Sequence, residues 1–238
     1  MKAKNLLLML AIGVMAASCN CGGSYEQTSA VLKTKTDTAS FYFGYLNGTT
    51  LAQLKMNEIN MEAFVAGINS ALQKKEIKES PQMMNMYLNQ YFQELSMRIA
   101  QENLEKGKKF LEENAKQEGV DTLSDGIQYK VITKGEGAMP KETDIVKVHY
   151  KGTLIDGTEF DSSYSRGEPT QFPLNRVIPG WTKALQAMPV GSKWIIYIPA
   201  DQAYGQRGGG PIGPNETLIF EVELLEIVKP EATEAEQK

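Results

Sequence analysis

The chain has 238 residues, 42% hydrophobic and 23% charged, which is enough for a packed core in one large domain or two smaller ones. Its net charge of −4 disfavours nucleic acid as a partner. Since the only histidine is His149 and the only cysteines are Cys19 and Cys21, we expect no metal site and no cofactor.

Residues 1–18 form a predicted signal peptide. Lys2 and Lys4 give a short basic segment, residues 6–17 are an apolar run too short to span a bilayer stably, and small residues precede Cys19. The pattern resembles a bacterial lipoprotein signal, in which Cys19 is lipidated and becomes the mature N-terminus. That resemblance implies a lipid-anchored protein of the cell envelope, either periplasmic or surface-exposed. An ordinary cleaved signal with two incidental cysteines is the alternative.

Residues 19–35 are rich in Gly, Ser and Thr and predict a flexible tether. Helical periodicity follows over residues 36–119, on both sides of a loop near residues 57–60. Ser80 and Pro81 are a strong helix start, an N-cap followed by proline at the first helical position. The helix that they open can run to about Glu118, where Gly119 ends it.

The two halves of this long helix differ in hydropathy. From Ala100 to Lys109 only Ala100 and Leu104 are apolar, and Gly107 lowers the helix propensity. We therefore expect the first half to be buried in a second copy of the chain, giving a homodimer, and the second half to be a solvated spacer that packs against neither domain. An intramolecular helical bundle is the alternative. The apolar stripe of the first half consists of Met84, Tyr87, Leu88, Tyr91, Phe92, Leu95 and Ile99.

Alternating strands punctuated by Gly and Pro characterise residues 120–228. Strands are predicted over residues 127–132, 145–154, 194–198 and 218–225, and one short helix from Trp181 to about Met188. The predicted fold class is α+β, an antiparallel sheet wrapped on a short helix and preceded by an all-α domain with a long connecting helix. Residues 229–238 are expected to be a disordered tail.

Five segments of this domain carry a specific resemblance: VHYKGTL (148–154), DGTEFDSS (156–163), VIPGWTKAL (177–185), IPADQAYG (198–205) and IGPNETLIFEVELLEI (212–227). Together with their spacing, they resemble the FKBP family of peptidyl-prolyl cis-trans isomerases over residues 120–228. The helical part, in SFYFGYLNG (40–48) and EKGKKFLEENAKQEGV (105–120), is similar to the N-terminal region of the Mip-like and FkpA-like branch. The resemblance implies an enzyme that accelerates X-Pro isomerisation in folding proteins.

The resemblance also implies a binding pocket. Trp181 is its expected floor, Tyr204 a hydroxyl donor to the substrate carbonyl, and Asp161 a carboxylate that orients Tyr150 and pairs with Arg166. Val177 and Ile178 are expected to supply an edge and a backbone donor or acceptor. The implied catalytic residues are Tyr150, Asp161 and Tyr204, and the implied substrate-binding residues are Phe160, Phe172, Val177, Ile178, Trp181, Ile212 and Phe220.

Other features of the domain are less specific. Thr170 stands where the family often has Phe, which bears on macrocycle affinity rather than on the reaction. His149 falls on the solvent side of its strand and receives no catalytic role, and the glycines at 208–210 predict a mobile loop over the pocket.

The expected partners are unfolded or proline-containing polypeptides, a second copy of the chain, and a membrane through the N-terminal lipid. Two other functions remain open at this stage: a dimeric holdase chaperone, suggested by the methionine-rich helices, and a cell-surface interaction module that uses the pocket for binding only.

Overall fold

The computed structural model of the chain describes residues 32–53, 56 and 59–228. The predicted signal peptide, Cys19, most of the tether and the C-terminal tail lie outside the described residues, as does part of the loop near residues 57–60. Among the helices that are described, none combines the length and the apolar character needed to cross a membrane.

Three helices come first: α1 (Lys35–Gln53), α2 (Met61–Leu72) and α3 (Pro81–Asn114). Asn60 and Ser80 cap α2 and α3, each accepting a hydrogen bond from a backbone N–H three residues further on, at 3.0 and 3.3 Å. Pro81 occupies the first turn of α3, as predicted. The helix ends at Asn114, before the predicted end near Glu118, because the chain tightens into turns ahead of Gly119, whose φ is +78°.

The remainder of the chain is mostly strand. The strands are β1 (Val120–Thr122), β2 (Gln128–Thr133), β3 (Ile145–Leu154), β4 (Glu159–Ser162), β5 (Thr170–Pro173), β6 (Lys193–Ile198) and β7 (Leu218–Val228). Two further helices are short, α4 (Ser163–Arg166) and α5 (Pro179–Gln186).

The strands pair antiparallel in the order β1-β2-β6-β7-β3-β4, and β5 also pairs with β3. Side chains alternate as predicted: Val146, Val148 and Tyr150 of β3 are buried on one face, and every second residue of β7 from Leu218 to Leu224 joins them. Helix α5 packs on this buried face and contributes to the same core. The α+β prediction of a sheet wrapped on one short helix is therefore confirmed.

Helix α5 starts at Pro179, two positions before the predicted Trp181. Proline at the first helical position is the same signal that marks α3, and Ile178 precedes it in extended conformation. The hydroxyl of Thr182 donates to the Leu174 carbonyl at 2.7 Å, which fixes the helix on the turn before it. The earlier start places Trp181 in the first turn of the helix, facing the sheet.

The second half of α3 packs against the sheet, so the predicted solvated spacer is wrong. The Asn114 side-chain amide donates to the side-chain oxygen of Gln128 at 2.8 Å, and the Gln128 amide donates to the Leu111 carbonyl at 2.8 Å. Gln128 is only 6% exposed, and the rings of Phe110 and Tyr197 lie 5.9 Å apart. Hydropathy could not predict this contact, because most of it is made by amide groups.

Gly107 allows this contact to be close. It is buried, and a Cβ at this position would lie 2.2 Å from Oγ1 of Thr217, which is itself 3% exposed. A larger residue would therefore force either the helix or the Thr217 side chain to shift. Gly107 lowers the helix propensity of α3, but its lack of a side chain allows α3 to pack closely against Thr217.

In the first half of α3 the apolar stripe is only partly covered within the chain. Leu95 is buried, whereas Tyr87 is 69% and Leu88 44% exposed. The other members of the stripe are half-buried: Met84, Tyr91, Phe92 and Ile99. Considered by itself, α1 also has exposed aromatic side chains, with Phe43 at 71% and Tyr45 at 64%.

Candidate active site

A cavity of about 410 Å³ opens where α5 faces β3 and β7. Its floor is the indole of Trp181, which is 4% exposed. The rings of Tyr150 and Phe220 meet this indole edge-on, with centroids 5.1 Å away and interplanar angles of 90° and 84°. Phe172 is tilted against it at 5.3 Å. Such edge-to-face contacts hold aromatic rings in fixed orientations and leave an apolar surface for a ligand.

Phe160 forms another wall, in edge-to-face contact with Phe220 at 5.5 Å. Gly152 of β3 makes room for both rings, because a Cβ there would lie 2.6 Å from Phe160 and 2.8 Å from Phe220. A glycine inside a strand is a signal for such a close approach. No role was predicted for Gly152 from the sequence.

The polar groups of the pocket form one network at its rim. The Tyr150 hydroxyl donates to one carboxylate oxygen of Asp161 at 2.5 Å, and Arg166 donates to the other, also at 2.5 Å. The second guanidinium nitrogen of Arg166 donates to the Tyr150 hydroxyl at 2.9 Å and to the Thr170 hydroxyl at 3.2 Å. The predicted pairing of Arg166 with Asp161 is present.

This network determines the charge state of the rim. Burial of the Asp161 carboxyl opposes ionisation, but hydrogen bonds from Tyr150 and Arg166 and the charge of Arg166 outweigh it and lower the pKa of Asp161. Burial, together with the hydrogen bond to Asp161, raises the pKa of Tyr150. At neutral pH the rim therefore holds an ionised carboxylate beside a neutral phenol.

Tyr204 also lines the cavity and is 44% exposed. Val177 and Ile178 complete the edge before α5. The Ile178 carbonyl accepts hydrogen bonds from the N–H groups of Trp181 and Thr182 at 3.0 and 3.2 Å. The Ile178 carbonyl is therefore already bonded to the first turn of α5. The backbone group of Ile178 that can bind a ligand is its N–H.

Every predicted pocket residue except Ile212 lines the cavity. Ile212 lies in the hydrophobic core, 6% exposed, and its backbone N–H and carbonyl both bond to Gly209. Arg176 lines the cavity and was not predicted. It belongs to the turn before Val177, and no periodic signal marks that turn in the sequence.

The comparisons with known proteins agree with this geometry. Residues 136–225 match the family model for FKBP-type peptidyl-prolyl cis-trans isomerases, and residues 36–131 match the model for the domain that lies amino-terminal to such isomerases. The chain is 47% identical to the FKBP-type 22 kDa peptidyl-prolyl cis-trans isomerase of Escherichia coli over 202 residues, covering 80% of this chain and 94% of that protein. The chain belongs to the FKBP family.

Two further proteins are similar to this chain. The outer membrane protein MIP of Legionella longbeachae is 43% identical over 180 residues, covering 72% of this chain and 77% of that protein. The crystal structure of FkpA from Escherichia coli matches with a TM-score of 0.64 at 38% identity, over 84% of this chain and 99% of that one.

Two positions in the FKBP domain differ in role from the pocket aromatics. Thr170 uses its hydroxyl to accept from Arg166, so the polar network is longer than it would be with Phe at this position. His149 lies outside the cavity, stacked on Tyr164 with centroids 4.8 Å apart, and its Nδ1 is 3.0 Å from the Ser163 hydroxyl.

Proposed function

We propose that the cavity over Trp181 accelerates rotation about X-Pro bonds in folding proteins outside the cytoplasm. The observation that carries this proposal is the pairing of an aromatic floor and walls with a polar rim whose groups bond to one another. The membership of the FKBP family supports the same reaction.

The chemistry needs neither a nucleophile nor a metal. Amide resonance gives peptide-bond rotation a barrier of about 18–20 kcal/mol. In the twisted transition state the resonance is lost, so the carbonyl is less dipolar and the prolyl nitrogen becomes pyramidal. Water stabilises the planar, more dipolar form. An apolar cavity removes that preference, and so it binds the transition state more tightly than the ground state.

We assign the individual roles on the same basis. The proline ring lies on Trp181, and the walls exclude water from the twisting bond. Tyr204 and the N–H of Ile178 donate to substrate carbonyl groups at the edge. Asp161 holds the Tyr150 ring in place and lies beside the rotating carbonyl, with Arg166 keeping the carboxylate ionised.

A protease-coupled assay on short proline peptides tests these roles. We expect Tyr204→Phe to lower kcat/KM about tenfold, the effect of one hydrogen bond, and Asp161→Ala to lower it at least as much, with an unchanged circular dichroism spectrum. Tyr164→Phe is the matched control, because Tyr164 is 42% exposed in the same domain but lies outside the cavity. Unchanged activity in both pocket variants would refute the assigned roles.

We also propose that the chain forms a homodimer through residues 36–119. The two pockets of the dimer, each in residues 120–228, then act on one unfolded client. The support is the apolar surface that the chain itself leaves exposed on α1 and on the first half of α3. At about 25 cal/mol per Å², this surface favours burial in a symmetric partner. Once one pocket has bound the client, the second pocket meets the same client at a raised effective concentration. We therefore expect monomeric variants to keep their peptide activity and to lose activity in proline-limited refolding.

A holdase chaperone activity is the second candidate. It is favoured by Met83, Met86 and Met97, which are 54%, 58% and 65% exposed on α3, since flexible methionine side chains adapt to varied clients. Trp181→Ala separates the two functions. If it abolishes isomerisation but still suppresses aggregation of an unfolded client, the helices act as a holdase. If both activities disappear together while the circular dichroism spectrum is unchanged, the pocket alone binds clients.

For the N-terminus we propose a lipid anchor on Cys19 that holds the protein in the bacterial cell envelope. The support is the short apolar run before Cys19. Anchoring by several acyl chains is stable because each buried methylene contributes about 0.8 kcal/mol. Cys19→Ala should release processed protein from membranes, and Cys21→Ala should not. Membrane retention of the processed Cys19→Ala protein would count against the anchor.

A further inference from the structure

The loop that carries Tyr204 is held by backbone hydrogen bonds. The Gly205 carbonyl, directly after Tyr204, accepts from the Asn215 N–H at 2.8 Å. Gly209 and Ile212 exchange two hydrogen bonds of 2.9 and 3.0 Å, and Gly209 lies under the Tyr204 ring, where a Cβ would come within 2.9 Å of it. The position of Tyr204 therefore depends on where the segment around Asn215 is fixed.

That segment is fixed to helix α3. Asn215 is 9% exposed with φ of +53°, and its side-chain amide donates to the Ala100 carbonyl at 3.1 Å. In return, the Asn103 amide donates to the Pro214 carbonyl at 2.9 Å and to Glu216 at 3.1 Å. A left-handed backbone is uncommon for a residue other than glycine, and asparagine tolerates it best. Here asparagine also supplies the side chain that reaches the helix.

We propose that Asn103 and Asn215 are positioning residues of the isomerase pocket, which hold the Tyr204 loop on helix α3 so that the Tyr204 hydroxyl faces the substrate. The inference rests on the substrate-binding role proposed for Tyr204. The path is continuous: Asn103 and Ala100 on the helix fix residues 214–216, Asn215 fixes Gly205, and Gly205 is covalently joined to Tyr204.

The exposure of Tyr204 explains why such support is needed. A side chain that is 44% exposed is packed on only part of its surface. Its geometry must then come from the backbone that carries it, and small displacements of a substrate-positioning group reduce rates strongly. Helix α3, whose first half carries a partly exposed apolar stripe, is thereby connected to the pocket.

Full-length variants with a matched control test the proposal. Asn103→Ala removes the hydrogen bonds to Pro214 and Glu216, and Asn215→Gly removes the bond to Ala100 while retaining the left-handed backbone. Asn114→Ala also removes one amide hydrogen bond between α3 and the sheet domain, to Gln128, but not to the loop. We expect kcat/KM on a short proline peptide to fall about tenfold in the first two variants and less than about twofold in the control.

Amide hydrogen exchange gives a readout that a general loss of stability would not produce. Exchange in residues 204–216 should accelerate in Asn103→Ala and Asn215→Gly and stay unchanged in Asn114→Ala. If Asn103→Ala and Asn215→Gly lower kcat/KM no more than Asn114→Ala does, the proposal is overturned.

A double-mutant cycle shows whether the effect passes through Tyr204. In a Tyr204→Phe background the loss caused by Asn103→Ala should shrink to less than about twofold, because coupled residues are not additive. An equal loss in both backgrounds overturns the inference. Failure of the assigned role of Tyr204 is distinguishable, since Tyr204→Phe alone would then leave kcat/KM unchanged.

Discussion

The two halves of helix α3 make opposite uses of their side chains. The first half is apolar and only partly covered, with only Leu95 of its stripe buried. The second half is mostly polar and lies against the sheet domain: Asn103 and Gly107 contact the loop before β7, and Asn114 contacts β2. Hydropathy alone predicts the opposite burial, with the apolar first half covered and the polar second half in solvent. An apolar stripe that its own chain does not cover indicates a missing partner. A polar helix face, by contrast, can pack against another domain when each of its amide groups finds a hydrogen-bond acceptor.

The largest effect is expected on association. Replacing both Tyr87 and Leu88 by Glu places two charges in the proposed interface, where they would be buried without partners. We expect the dimer dissociation constant to rise at least about 100-fold in sedimentation, with peptide isomerisation unchanged. Lys108→Glu, an exposed change in the second half of α3, is the control and should leave association unaltered. Wild-type protein that sediments as a monomer at micromolar concentration would refute the interface.

An intermediate effect is expected at Gly107. Alanine would stabilise a solvated helix by about 1 kcal/mol, but here its Cβ collides with Thr217. We expect Gly107→Ala to lower the free energy of unfolding in urea by about 1–3 kcal/mol, the cost of overpacking. Gly67→Ala in α2, where a Cβ meets nothing within 4 Å, is the control and should be stabilising. Stabilisation by Gly107→Ala would mean that the second half of α3 does not dock.

The smallest effect concerns pH. Because the folded pKa of Asp161 is lowered, the stability contributed by its hydrogen bonds is fully present above the ordinary carboxyl pKa and is lost only as pH falls through the lowered folded value. The raised pKa of Tyr150 keeps that phenol neutral well into the alkaline range. We therefore expect kcat/KM to be constant between about pH 5 and 8. A transition in this interval would contradict the charge states assigned to Asp161 and Tyr150.

Much of the sheet domain could be predicted from the sequence. Strand β3 has the predicted bounds, and its alternation of Val146, Val148 and Tyr150 with polar residues is a strong signal because one face is buried. Nearly all the pocket residues could be assigned only through the family motifs. Periodicity predicts that Trp181 and Phe220 are buried, but it does not predict a cavity beside them.

What the sequence did not reveal depends on contacts between distant residues. Asn103 is one of several polar residues on a helix until Pro214 and Glu216 are placed beside it, more than a hundred residues further along the chain. A glycine inside a strand, such as Gly152, or inside a helix, such as Gly107, indicates that another group approaches closely. The sequence does not indicate which group that is. Ile212 was assigned to the pocket by resemblance, but it lies in the hydrophobic core and does not line the cavity.

The contrast between the halves of α3 can be measured most directly by hydrogen exchange of the full-length protein at several concentrations. Protection of residues 84–99 should rise with protein concentration, because a second copy covers that half. Protection of residues 100–114 should match that of β6 and β7 at every concentration, because the sheet domain of the same chain covers it. Equal concentration dependence in both halves, or rapid exchange of residues 100–114 at all concentrations, would contradict the account.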